Sequence, residues 1–194
     1  MNGGNDKYRN FAESLVNQEA SNVVLYASSR RNVEIDPNIT DRYKQKQAKF
    51  IGKSFSDELE DARRVLKDVI ENSESRFGIK KEDLQITFNG NSLGGVIAFY
   101  LANEFSEVKN IVSVGTGLRL EIKDVPILDT FPNPEDLKEK LQKFHGKYLM
   151  VYGTEDDVFI EQSFFDFINT VGSNEEDKSS IQLIGVDHTF GKVG

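Results

Sequence analysis

A serine, an acid and a histidine each stand just after a run of residues that reads as a β-strand. Ser92 lies in Gly90-Asn91-Ser92-Leu93-Gly94-Gly95, which has the form G-x-S-x-G. Asp156 follows the apolar run from Tyr148 to Tyr152, and His188 follows the run from Ile181 to Ile184. A serine hydroxyl becomes a useful nucleophile when a base takes its proton and an anion orients that base. One sheet edge carrying all three would support attack on an acyl carbon.

The glycines around Ser92 have a physical reason. In a nucleophile elbow the serine sits on a sharp strand-to-helix turn, and small residues two positions either side let strand and helix pass closely. Gly90 and Gly94 occupy those positions. The turn places the serine at the amino end of a helix, where the N–H of Leu93 would face a developing oxyanion. By itself the pentapeptide is also compatible with a plain glycine-rich turn. Its flanks, Leu84 to Phe88 before and Val96 to Tyr100 after, supply the strand and helix that the elbow requires.

The chain has two histidines. His145 lies just before the strand beginning at Tyr148, at the sheet edge opposite the elbow, and reads as a surface residue. His188 lies past a strand's carboxyl end, on the same edge as Ser92. The acid has several candidates, because Glu155, Asp156 and Asp157 are consecutive. Asp156 stands three residues past Gly153, the spacing expected of a loop turning back toward the histidine. A plain acidic turn is the alternative. Asp187 is a further rival, but it adjoins His188 and cannot readily reach its Nδ1.

These residues need a scaffold. Residues 1–21 are polar with a weak helical stripe, and Val23 to Ala27 reads as a buried strand. Residues 28–54 suggest no regular element. From Phe55 to Phe77, apolar residues recur at helical spacing, with Ser54 placed to cap the start and Gly78 to end it. Strands are then expected at Leu84 to Phe88, Asn110 to Val114, Tyr148 to Tyr152 and Ile181 to Ile184. Helices are expected at Leu93 to Phe105, near Glu135 to Phe144, and from Ile160 to Val171. That alternation indicates a mostly parallel sheet with crossover helices, an α/β fold in a single domain over residues 1–194.

Composition narrows the function. A net charge of −8 argues against nucleic acid as a partner, since phosphates need a basic surface. It also disfavours purely electrostatic docking on anionic lipid, while leaving transient insertion of an apolar loop into a membrane interface open. With no cysteine there is no disulfide, thiolate metal site or cysteine nucleophile. No signal peptide or membrane span is visible, which leaves the compartment open between the cytoplasm and export without a visible leader as part of a larger chain. Fourteen phenylalanines and no tryptophan imply a phenylalanine-rich core.

The chain resembles the α/β-hydrolase superfamily, and within it the class 3 lipase-like group. The elbow is similar to that group's G-H-S-L-G-G, with Asn91 in place of histidine. Phe50 to Phe55 and the helix that follows resemble the group's approach to the elbow. Tyr152 to Val158 resembles its acid loop, which puts the acid on Asp156, and His188 matches its histidine. The resemblance covers residues 50–190 and is weak before them. Family members end an early strand in an F-R-G-[ST]-like turn whose hydroxyl residue gives a second oxyanion N–H. Here the matching piece is Leu25 to Arg30, which lacks the arginine and the glycine, and Ser28 is the nearest match, with Ser29 close behind.

The resemblance implies an α/β-hydrolase sheet with helices on both faces and a lid-like insertion at residues 118–146. It implies hydrolysis of a carboxylic ester by Ser92, His188 and Asp156, with Leu93 and Ser28 holding the oxyanion and no metal or organic cofactor. An acyltransferase, a thioesterase or an inactive binding module are the alternative readings. Leu118, Leu120, Ile122, Val125, Ile127, Leu128 and Phe131 lie where related proteins carry caps over the acyl site. A lipid-like ester is therefore the expected substrate, with Leu118, Leu128 and Phe131 against it; ordinary packing of a long loop is the alternative.

Overall fold

A computed structural model of the chain describes residues 6–17, 22–26, 36, 38–121 and 126–190. Two compact units are present, one of Met1–Asp83 with Val125–Thr130, the other of Leu84–Asp124 with Phe131–Gly194.

The first unit is helical among the described residues. Helices α1 (Asp6–Asn17) and α2 (Arg42–Phe50) precede the long amphipathic helix α3 (Phe55–Glu71), which buries Phe55, Leu59, Ala62, Leu66 and Ile70. Ser54 caps α3 in a reciprocal box: its Oγ accepts from the Asp57 N–H, and Asp57 accepts from the Ser54 N–H. Helical structure expected to run on to Phe77 is interrupted at Asn72 (φ −110°, ψ 16°). The Asn72 side chain donates to both the carbonyl and the carboxylate of Asp68, and its backbone N–H donates to the same carbonyl at 3.1 Å, so Asn72 closes the last turn of α3. A short helix, α4 (Ser73–Phe77), follows and ends at Gly78 in the left-handed conformation (φ 69°). Residues 122–125 and 27–35, with Ile122, Val125 and the expected oxyanion residue Ser28, lie outside the described residues.

One expectation is corrected here. Val23 to Ala27 reads as a buried strand, yet described residues 22–26 form none, and Val24 and Leu25 are 46% and 47% exposed. A strand exists only as part of a ladder, and described residues 22–26 belong to no sheet.

The second unit is built on four parallel strands in the order β1 (Ile86–Asn91), β2 (Val108–Val114), β3 (Lys147–Glu155) and β4 (Lys178–Asp187). Helices α5 (Leu93–Glu104), α6 (Pro134–Gln142) and α7 (Glu161–Thr170) lie in the three crossovers. Each connection steps to the next strand in the same direction, so right-handed crossovers set all three helices on one face. Alternate residues of β3, Tyr148, Met150 and Tyr152, turn toward them and are buried.

The core there is phenylalanine-rich. Phe99 of α5 meets Phe144, Tyr148 and Phe167 edge to face, with centroids 5.2–5.4 Å apart. Each such pair adds about 0.5–1.5 kcal/mol beyond the area it buries. The Tyr148 hydroxyl is buried as well and is paired with Ser113 Oγ at 2.7 Å; burial pushes its pKa upward.

Because all four strands run the same way, their carboxyl ends lie on one edge. The sequences that follow them, at Ser92, Gly115, Asp156 and His188, meet there.

Candidate active site

The β1–α5 junction is an elbow. Ser92 has φ 50° and ψ −117°, a conformation that side-chain-bearing residues avoid at a cost of about 1–3 kcal/mol. Its N–H donates to the carbonyl of Val114 at 2.8 Å, which extends the β1–β2 ladder past the end of the strand. Strand and helix pass so closely that a Cβ on Gly90 would lie 2.3 Å from the carbonyl carbon of Gly94. Backbone on both sides leaves nothing to yield. Gly90→Ala is therefore expected to cost more than the roughly 1–3 kcal/mol typical of overpacking, or to prevent folding. A melting temperature within about 2 °C of wild type would contradict this account of the turn.

Asp156 is set by its own loop. Its side chain is 1% exposed, and Oδ1 accepts the N–H groups of Val158 and Phe159, both at 2.9 Å. The carboxylate thus builds the turn leading to α7, and Oδ2 is left to face the sheet edge. Glu155 and Asp157, its neighbours, are exposed.

The end of β4 is shaped by a bulge. Gly153 pairs with Leu183 and Glu155 with Asp187, so three residues of β4 stand opposite Thr154 alone. Gly185 takes φ 68° within the bulge, and its N–H donates to Thr154 Oγ1 at 2.9 Å. The extra residues bend the strand end, as bulges near functional sites do. Asp187 then closes a turn by accepting from the N–H and hydroxyl of Thr189, both at 2.8 Å.

These three loops bring the expected residues together. His188 Nδ1 lies 2.8 Å from Asp156 Oδ2, and His188 Nε2 lies 3.0 Å from Ser92 Oγ. An ionised carboxylate only accepts, so Nδ1 carries the proton and donates to Asp156. Nε2 is then the acceptor, and the Ser92 hydroxyl donates to it. The imidazole is 18% exposed, open enough for a substrate to approach. His145 is elsewhere: it precedes β3, at the opposite end of the sheet, with Nδ1 against the carbonyl of Gly172 at 2.8 Å.

Leu93, the expected oxyanion donor, is the first residue of α5 and is buried. Leu118 is also buried, and its loop is stitched to α7: its N–H donates to the Ser163 carbonyl, and Ser163 Oγ accepts from the Arg119 N–H at 2.8 Å. Phe131 stands 6.2 Å from Phe159, ring to ring, while Leu128 lies on a short 3-10 turn (Pro126–Thr130) of the other unit.

Four further residues shape this edge. Phe159 is wholly buried and packs against the His188 ring, 5.8 Å between centroids. Gly115 has φ 58°, and a side chain there would meet Phe190, Asp156 and His188 within 3.5 Å. Thr116 Oγ1 donates to the Ser92 carbonyl at 2.9 Å. Phe190 takes a left-handed backbone conformation, φ 63°, beside Gly115. The one visible cue was the pair of glycines flanking Thr116 just after a strand. Among the described residues, no three His, Asp or Glu side chains cluster as metal ligands would.

No family model and no curated protein matches this sequence. Solved structures do. A metagenome-derived lipolytic enzyme of the LipS and LipT pair superposes with a TM-score of 0.55 at 17% identity, over 73% of this chain and 68% of its own. The fold is that of the α/β-hydrolases. The monoacylglycerol lipase of Paleococcus ferrophilus (TM-score 0.51, 14% identity, 67% of this chain and 66% of its own) shares it. So does a cold-adapted esterase from an Arctic intertidal metagenomic library (TM-score 0.51, 13% identity, 78% and 57%). The chain spans about half to two thirds of the length of the α/β-hydrolase structures it matches.

Proposed function

We propose that this chain is a serine hydrolase acting on carboxylic esters, with Ser92 as nucleophile, His188 as base and Asp156 as its orienting anion. The observation that carries the reading is His188 bridging the other two through its two ring nitrogens at 2.8 and 3.0 Å. Ser92 Oγ bonds to the acyl carbon while its proton passes to Nε2, and the carbonyl electron pair moves onto oxygen. The Leu93 N–H receives that oxyanion at the amino end of α5. His188 then returns the proton to the departing alkoxide, leaving an acyl-serine. Water repeats the sequence and frees the acid. Asp156 keeps the proton on Nδ1 throughout and stabilises the imidazolium.

Ser28 is the candidate for the second oxyanion donor, on the resemblance alone. Affinity with class 3 lipases rests on the elbow and on Tyr152 to Val158. A lipid-like ester is favoured by the apolar character of Phe131 and its neighbour Phe159 beside the histidine, with Leu118 and Leu128 as further candidates for contact with the acyl chain.

The test is a panel of esters graded by acyl length, run on wild type and Ser92→Ala. Each methylene buried on binding is worth about 0.8 kcal/mol, so a lipid-directed site should raise kcat/KM by several-fold per added methylene until its pocket is filled. Turnover that survives in Ser92→Ala, or none in wild type, refutes the reading. Faster reaction with thioesters would move it to a thioesterase, and ester formation on addition of an alcohol would move it to an acyltransferase.

A further inference from the structure

We propose that Thr116, in the loop after β2, is a positioning residue that aims the oxyanion donor of Leu93 through a hydrogen bond to the carbonyl of Ser92. The proposal rests on the reading of Ser92 as nucleophile.

Thr116 is wholly buried, and its Oγ1 lies 2.9 Å from the Ser92 carbonyl oxygen. A carbonyl only accepts, so the hydroxyl donates. The same oxygen also accepts the Gly95 N–H at 3.0 Å. The threonine and Gly95 are fitted to one another: a Cβ on Gly95 would lie 2.2 Å from Thr116 Oγ1. At Gly94 a Cβ would meet nothing within 4 Å. The second glycine after Leu93 is therefore required by the threonine and not by the turn, and its missing side chain is the space the hydroxyl fills.

The consequence follows from peptide geometry. The Ser92 carbonyl and the Leu93 N–H belong to one rigid plane and point in opposite directions. Rotation about ψ of Ser92 swings both together. At ψ −117° that residue sits outside the broad wells that would hold it unaided. A donor fixed to the carbonyl sets the plane, and so sets where the Leu93 N–H points. The hydroxyl of Thr116 touches neither substrate nor the reacting oxygen; it acts through the peptide.

The experiment compares wild type, Thr116→Val, Thr116→Ser and Thr116→Ala. Each is assayed with a short-chain p-nitrophenyl ester and with a trifluoromethyl ketone. With the ketone, Ser92 Oγ bonds to the carbonyl carbon, its proton goes to His188, and the carbonyl oxygen becomes an anion at the oxyanion site. Losing an oxyanion donor outright costs about 10²–10³ in kcat, so a misaimed one should cost about 10- to 100-fold. Thr116→Val is expected to lower kcat by that factor with KM within about twofold, and to raise the ketone Ki by the same factor. Thr116→Ser, which keeps the hydroxyl, is expected within about threefold of wild type. If the valine variant does not fold, serine against alanine isolates the hydroxyl in the same way. Equal activity and equal Ki across the hydroxyl-bearing and hydroxyl-free variants overturn the proposal. So do equal losses in serine and valine that track the melting temperature, which would make Thr116 packing alone. A wild type that neither hydrolyses the ester nor binds the ketone overturns the nucleophile reading along with it.

Discussion

Ser92→Ala is expected to fold and to lose ester turnover by a factor on the order of 10⁶, the loss that follows removal of the nucleophile in subtilisin. The size follows from the arrangement of the site. Ser92 Oγ is the atom placed against His188 Nε2, 3.0 Å away. A fluorophosphonate should phosphonylate Ser92 in wild type, shown by mass spectrometry of the peptide, and should label nothing in the variant. The histidine and acid would remain paired, so the circular dichroism and melting curve should change little. Labelling that persists in Ser92→Ala would place the nucleophile elsewhere.

Asp156→Asn is expected to keep the fold and to lower kcat by about 10⁴. Two N–H groups, of Val158 and Phe159, converge on Oδ1, so an asparagine amide must turn its oxygen to them. Its NH₂ group then faces His188 Nδ1. Because NH₂ only donates there, Nδ1 must accept, and the ring proton moves to Nε2. Nε2–H points at Ser92 Oγ and can no longer take a proton from it. Glu155→Gln and Asp157→Asn, at exposed positions, should leave kcat within about threefold. A larger loss at Asp157 than at Asp156 would reverse the assignment.

The elbow was legible because a strand, a glycine-flanked serine and an apolar helix follow one another without interruption. The alternation from Leu84 onward was legible for the same reason: buried parallel strands are dense in apolar residues. Other parts were hidden by physics that leaves no local trace. Strand β4 runs from Lys178 to Asp187, well beyond the expected Ile181 to Ile184, because Ser179, Ser180 and Gln182 are exposed on an edge strand and need not be apolar. The bulge at Gly185 has no periodic signature, although it shapes the strand end before His188. Helix α2 carries a weak apolar stripe and was not expected at all. Val23 to Tyr26 carries the composition of a strand but belongs to no sheet, and composition alone does not pair a strand. Thr116 is a distant partner of Ser92, 24 residues away, and only the folded chain brings them together.

The backbone of Ser92 has an evolutionary consequence. At φ 50° and ψ −117° glycine is at ease and serine is not. Ser92→Gly should therefore melt higher than wild type, by an amount corresponding to about 1 kcal/mol, while being inert toward esters. A lineage released from the need for chemistry would be rewarded for that replacement, and drift would erase the serine early. Asp156 would outlast it, since its carboxylate also closes a turn. Among descendants of this chain, a surviving serine at position 92 is thus the better sign of continued use, and a surviving aspartate at 156 says little.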